Sequence, residues 1–391
     1  GANALDANTT ANNNTAVGYN SATANTTGAR NSGFGQSSLL VNTTGNENTA
    51  IGNGSLQANT TASNNTAVGN NALAANTTGP DNTAVGAFAL DANTTGELNV
   101  AVGRDALGTN TTGNFNVALG RESLKQNTTG DANVAVGLNA LQQNTTADFN
   151  IAIGRNALVN NTTGTNNVAV GAFAADALTT GGFSIAIGHN TLTAATTASS
   201  NTAIGFEALK ACTTGQRNVA IGTNTGNAIT TGSDNVLIGR DAGLSGSPSG
   251  NVTTATGQVC LGDNAVTDLF CKVSTIQTSD LRDKTDITDF KHGLSWIEKL
   301  KPITYRWDMR SSYEDGKPDG SKKEEKLHLG FIAQDVIKIE KEHGFASDKN
   351  MMLLVNKNND GNYGMKYDRV VPILVNAIKE LSAKVTALEA G

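Results

Sequence analysis

A glycine that closes a short apolar run recurs at Gly18, Gly35, Gly52 and onward to Gly222 and Gly239, at a constant spacing of 17 residues. One unit reads Asn82-Thr83-Ala84-Val85-Gly86, then Ala89-Leu90, then Asn93-Thr94-Thr95-Gly96. Two short β-branched or apolar runs, parted by Gly and Asn turns, leave no room for a helix of several turns. Each unit therefore reads as one coil of a parallel β-solenoid, stacked on the next. At roughly 4.8 Å per coil, about fourteen coils make a rod on the order of 70 Å long.

One slot of the repeat reveals its direction through the residues it accepts. It holds Asn8, Asn25, Asn42 and so on to Asn161, then Leu178, Ala195, Cys212 and Ile229. A position that takes Leu, Cys and Ile is expected to face inward. Stacked Asn side chains should then hydrogen-bond from coil to coil and give way to an apolar ladder further along. The same residues admit two rival readings. Asn-Thr-Thr matches the acceptor for N-linked glycans, although an inward Asn could not carry one. A Thr array could also serve as an ice-binding surface, but adjacent strand residues point to opposite faces, leaving one outward Thr per coil.

Each coil is expected to enclose mainly one Val or Ile and one Leu, with Ala filling in. A core that thin calls for parallel chains to bury the remaining faces. The unit Asn-x-Ala-Val/Ile-Gly, and with it Ser184-Ile185-Ala186-Ile187-Gly188, resembles the head repeats of trimeric autotransporter adhesins. That resemblance implies a homotrimer of parallel β-rolls, built in those heads from a shorter repeat.

Charge is distributed unevenly. Residues 1–278 carry 9 Lys plus Arg against 15 Asp plus Glu, while residues 279–391 carry 19 of each, so the net charge of -6 belongs to the repeat and its connector. A sparsely charged, mildly acidic surface argues against nucleic acid and against anionic membrane as partners. Cys212, Cys260 and Cys271 have no paired spacing, so they read as buried thiols and not as a disulfide framework or a zinc site. No metal or cofactor is expected. No stretch is apolar enough to insert in a membrane, and no basic-then-apolar leader precedes the repeat. Gly1 already occupies a repeat position, so the chain is expected to start inside a longer protein.

After Gly239 the register breaks at Ser245-Gly246-Ser247-Pro248-Ser249-Gly250, and Cys260-Leu261-Gly262 forms a last repeat-like segment that should cap the solenoid. Residues 240–278 form a connector whose Val266, Leu269, Phe270, Val273 and Ile276 suggest short strands. It reads either as a structural neck or as a receptor-contacting tip, since loops at the end of a rigid rod can vary freely. Beyond residue 279 a smaller α+β domain is expected. Strands are predicted at Ile303–Trp307, His328–Ala333 and Met351–Val355, with a charged loop from Ser311 to Lys326. Asp368 is placed to cap a closing helix with Pro372 in its first turn. Val371, Ile378 and Val385 alternate with Leu374, Leu381 and Leu388 at heptad spacing, which makes a short coiled coil. β-branched a positions with Leu at d lean towards dimers, but three heptads are too few to decide, and the trimeric resemblance is taken to prevail.

Composition and charge density change at Thr278-Ser279-Asp280-Leu281-Arg282-Asp283-Lys284-Thr285-Asp286-Ile287. A serine hydroxyl becomes nucleophilic when a base takes its proton, and lysine serves if burial or nearby positive charge lowers its pKa. Ser279 and Lys284 could form such a pair, though the spacing alone equally fits a charged turn entering a domain. The run Ser-Asp-x-Arg-x-Lys-x-x-Ile, the segment Gly330-Phe331-Ile332-Ala333-Gln334-Asp335, and Tyr367-Asp368-Arg369 leading into Ala377-Ile378-Lys379-Glu380-Leu381 together resemble the self-cleaving intramolecular chaperone domains that end phage tail fibres and tail spikes.

The resemblance implies that Ser279 attacks the carbonyl of Thr278 with Lys284 as general base, cutting between Thr278 and Ser279. His328 is then a candidate assistant, against the plain reading of a structural strand histidine. Asp280 and Arg282 would set the loop geometry. The chain accordingly reads as a homotrimeric, mainly β fibre: a parallel β-solenoid over 1–239, a connector and tip over 240–278, and an intramolecular chaperone and single-turnover auto-peptidase over 279–391. A glycan or protein receptor on a host cell and a place on a virion follow from the same resemblance. The rival is a bacterial surface-attached adhesin, for which a membrane anchor would be expected in place of the coiled-coil tail. A general serine protease is disfavoured because no triad or substrate-binding region is suggested.

Overall fold

The computed structural model describes residues 1–266, 284–310, 313–314 and 316–391. They fall into two compact units, one of residues 1–247 and 251–263, the other of 248–250 and 264–391. The first is a parallel β-solenoid. Its three-residue strands run from β1 (Thr15–Val17) through β14 (Val236–Ile238) to β15 (Val259–Leu261) and form one 15-stranded sheet in chain order. Every strand pairs in parallel with the equivalent residues of the next coil, as in Thr83↔Val100 and Val168↔Ile185. The loop at Ser245–Gly250 lengthens one coil without ending the sheet, because Val236 pairs with Val259. Val252, fully buried, then continues the slot of Ile229.

Only the first of the two apolar runs is a strand. The second, Ala89-Leu90, is a turn in which Leu90 has φ 51° and lies fully buried. Its N–H still serves the stack, donating to Ala106 O at 3.0 Å. The repeating glycine is demanded twice over. Gly86 has φ 138°, and a Cβ there would stand 2.6 Å from the Gly103 carbonyl oxygen of the next coil. An L side chain fits neither the torsion nor the space.

The interior differs from the expected mix of Val or Ile with Leu. The strand's central Ala84 is fully buried, whereas Val85 is 36% exposed. The alternation explains this: Asn82 and Ala84 point inward, so Thr83 and Val85 point out. What fills the coil is Ala, Leu and two polar ladders. The expected one is present: Asn93 Nδ2 donates to Asn76 Oδ1 at 2.9 Å and to Gly96 O at 2.9 Å. These Asn side chains are fully buried from Asn25 to Asn161, which closes them to glycan attachment. Past Asn161 the slot passes to Leu178, Ala195, Cys212 and Ile229, all buried. Burial pushes the Cys212 thiol up to about 11. Cys260 is also a buried free thiol, while Cys271 lies outside the described residues.

The second ladder is the residue that precedes each strand, Asn throughout except for Ser184 and Gln258. Asn99 Nδ2 donates to Gly113 O at 2.9 Å, and its Oδ1 accepts from Asn116 N at 2.9 Å. Of the Thr pair, the first hydroxyl is tied down, Thr43 Oγ1 donating to Thr60 O at 3.0 Å, and the second is exposed.

The second unit is a small α+β domain. It contains α1 (Leu294–Ile297), a hairpin-like pair β16 (Ile303–Tyr305) and β17 (His328–Gly330), α2 (Ala333–Glu342), the antiparallel pair β18 (Val355–Lys357) and β19 (Tyr363–Met365), and α3 (Val370–Glu389). Its core gathers Trp296, Leu300, Val336, Ile339, Leu354 and Ile373, flanked by Phe290 and Phe345.

Three sequence expectations are corrected here. The strand at His328 stops at Gly330, and Ala333 opens α2, because Ala333, Val336, Ile337 and Glu340 recur at helical spacing and are buried. Strand structure starts at Val355 and not at Met351, since Asp348 accepts from Asn350 N and Met351 N and winds Lys349–Met351 into a 3₁₀ turn. Asp368 lies inside a 3₁₀ turn, Tyr367–Arg369, so the residue at the head of α3 is Arg369, which makes no side-chain cap. The expected strands around Leu269 to Ile276 lie outside the described residues.

Candidate functional site

Thr278, Ser279, Asp280 and Arg282 all lie outside the described residues, and with them the geometry of the Ser-Lys pair. Lys284 is described and exposed. His328 opens β17 directly opposite Tyr305, an antiparallel pairing that stacks the two rings with centroids 5.5 Å apart. Trp307 meets the same imidazole at 6.4 Å, and Glu324 N donates to Trp307 O at 2.8 Å, folding the loop back over the pair. The His328 Nε2 is buried 3.5 Å from Glu324 Oε2 and has no hydrogen-bond partner among the described residues.

Two of the sequence segments singled out above pack on each other. Tyr367 Oη accepts from Phe331 N at 3.3 Å, and the Phe331 and Tyr367 rings stack at 6.1 Å. A Cβ on Gly330 would stand 2.3 Å from that hydroxyl, so a larger residue there would have to push the Tyr367 ring aside. The tail of the third segment also serves the fold: Leu294 N donates to Glu380 Oε2 at 3.0 Å and Asn376 Nδ2 to Phe290 O at 2.6 Å. α3 is thereby seated through Ile373 and Ala377, on the segment that leads in from the junction.

Sequence reasoning missed Glu340. This carboxylate is fully buried in α2, where Oε1 accepts from Leu353 N at 3.1 Å and from Leu354 N, while Oε2 has no partner among the described residues. Burial raises its pKa, opposed by those backbone N–H groups and by Lys366 nearby. The only sequence signal was a charge on the apolar stripe of a helix.

Two apolar surfaces are left uncovered on the single chain. The heptad stripe of α3 faces away from its own core, Ile378 being 66% and Leu388 82% exposed. On the solenoid, the third strand position presents Val17, Phe34, Ile51 and their successors to Leu261 in an unbroken apolar column. Monomeric proteins rarely leave a contiguous patch of such length open. Among the described residues no helix is long and apolar enough to cross a membrane, and no cluster of three His, Cys, Asp or Glu side chains could hold a metal ion.

Residues 279–345 match the peptidase S74 family, described as the chaperone of endosialidase, an autoproteolytic intramolecular chaperone. No curated protein and no solved structure matches the chain. The matched segment begins at Ser279 and includes Lys284 and His328. Coming after a β-solenoid of 17-residue coils, the chaperone of endosialidase segment fits the chain to a tail fibre or tail spike with a C-terminal chaperone domain.

Proposed function

We propose that the chain is one of three in a virion fibre that contacts a host receptor and removes its own assembly domain. The observation that carries this reading is where the family match starts: Ser279 is its first residue. A nucleophile at the N-terminal edge of a chaperone domain is suited to cutting its own leading peptide bond. Ser279 Oγ attacks the Thr278 carbonyl as Lys284 takes the hydroxyl proton and passes it to the departing Ser279 α-amine; the C–N bond breaks, leaving Thr278 as an ester on Ser279 Oγ that water then hydrolyses to a free carboxylate. His328 assists proton transfer. The reaction runs once per chain, because its substrate is the linkage to the fibre itself.

Association of three chains accounts for both uncovered apolar surfaces, the α3 stripe and the solenoid column. A terminal clamp aligns repetitive coils, and its removal leaves the fibre kinetically trapped. Residues 240–278 are the segment we assign to the fibre tip and receptor, a glycan or a protein. Denaturing electrophoresis of the wild type should show fragments of about 278 and 113 residues, from residues 1–278 and 279–391. Ser279→Ala should remain whole, and Lys284→Ala should cut at least ~100-fold more slowly. An uncut wild type, or a Ser279→Ala variant that still cleaves, would remove the dyad assignment.

A further inference from the structure

The coils are not equivalent on their outer surface. Two residues ahead of each strand lies a bend position held in the left-handed region in every coil from Asn13 to Asp234. Asn13, Asn64, Asp81 and Asn166 suit that torsion. In the middle of the rod it is taken instead by Leu98, Phe115, Phe149 and Phe183, with φ between 57° and 59°. A bulky residue gives up on the order of 1 kcal/mol there. The single chain offers no burial in return, for Phe115, Phe149 and Phe183 are 55%, 60% and 66% exposed.

A second column changes over the same coils. The first strand position is Thr or Ser from Thr15 to Thr83 and Val or Ile from Val100 to Ile185; Thr202 interrupts it once before Val219, Val236 and Val259. Each of the three Phe residues thus stands beside a coil whose first and third strand positions are both apolar, at Val117, Ile151 and Ile185.

We propose that this Phe column lies in the contact between copies of this chain and sets their register. The proposal rests on the trimeric reading and extends it. The third strand position is apolar in every coil, so a slip of one coil costs almost nothing there. The Phe column removes that degeneracy. Its phenylalanines alternate with Ala132 and Asn166, so a one-coil slip either way sets Phe149 and Phe183 against a small or polar neighbour. It is also bounded, by Asp81 on one side and by Ser200 and Arg217 on the other. A slip in either direction desolvates a polar or charged group against an aromatic ring, which acts as a repulsive element against wrong alignments.

Hydroxyl-radical footprinting of the assembled chain tests the burial without any substitution. Phe115, Phe149 and Phe183 should react at least ~5-fold more slowly than Phe206, a control of similar exposure in the single chain at 47%. A trimer in which all four react alike overturns the proposal and leaves the trimer reading intact; a monomer overturns both. Register is read by oxidising Ala132→Cys, whose thiols meet across copies only at equal height. Adding Phe115→Asn, Phe149→Asn and Phe183→Asn together should lower the cross-linked yield several-fold at unchanged oligomer mass. An unchanged yield would show that alignment is set elsewhere.

Discussion

Asn161 marks the point where a polar ladder ends, and it shows how much a single side chain depends on its neighbours up and down the stack. Its Nδ2 still reaches Asn144 Oδ1, but its Oδ1 has no partner among the described residues because the next residue in the slot is Leu178. Asn93 sits mid-ladder with both sides satisfied. Asn161→Leu should therefore leave the melting temperature within a few degrees of wild type, whereas Asn93→Ala should cost about 1–3 kcal/mol through orphaned partners. Thermal denaturation of the two variants in parallel decides this, and equal losses would contradict it. Glu340 poses the opposite case, a charge placed where water cannot follow. Because its folded-state pKa is raised, its contribution to stability is fully present below the ordinary Glu range and is lost as pH rises through the raised value. Glu340→Gln should flatten that decline and be at least as stable as wild type at pH 7. Glu340→Ala, which strands Leu353 N and Leu354 N, should lose about 1–3 kcal/mol at every pH. The fluorescence of Trp296, fully buried in this core, follows the transition.

At the scale of elements, α3 divides its faces between two tasks. Ile373 and Ala377 are buried against the domain, and Asn376 and Glu380 bond its backbone. Val371, Ile378 and Leu381 point elsewhere and are exposed. Replacing Ile378 and Leu381 by Glu should abolish association through this helix while leaving Trp296 fluorescence and domain folding unchanged. Light scattering beside circular dichroism would report both; loss of helicity together with association would mean that the stripe is structural. The heptad was readable because its spacing is local and regular. α2 was not, because Gly330-Phe331-Ile332-Ala333 reads as a β run until the helical recurrence of Val336, Ile337 and Glu340 is weighed against it. The turn at Lys349–Met351 was hidden for another reason: one Asp348 carboxylate, bonding two backbone N–H groups, outweighs the β-propensity of the residues that follow.

For the whole molecule, the proposed division of labour predicts an order of events. Deleting residues 279–391 should leave coils that fold but assemble poorly, with a low trimer yield on native electrophoresis. If instead full yields of uniform trimers form, the chaperone segment is dispensable and the Phe column alone suffices. The 17-residue period, the glycine that closes each short apolar run, and the inward slot shared by Asn93, Leu178 and Cys212 were determined by the sequence alone, because each is a local rule repeated until chance is excluded. The outward placement of Val85 and its equivalents, the second ladder through Asn99, and the seating of Tyr367 on Gly330 and Phe331 were decided only by the tertiary structure. Each depends on which of two faces meets the next layer, and a strand's alternation reads the same from either side until the neighbouring coil is in place.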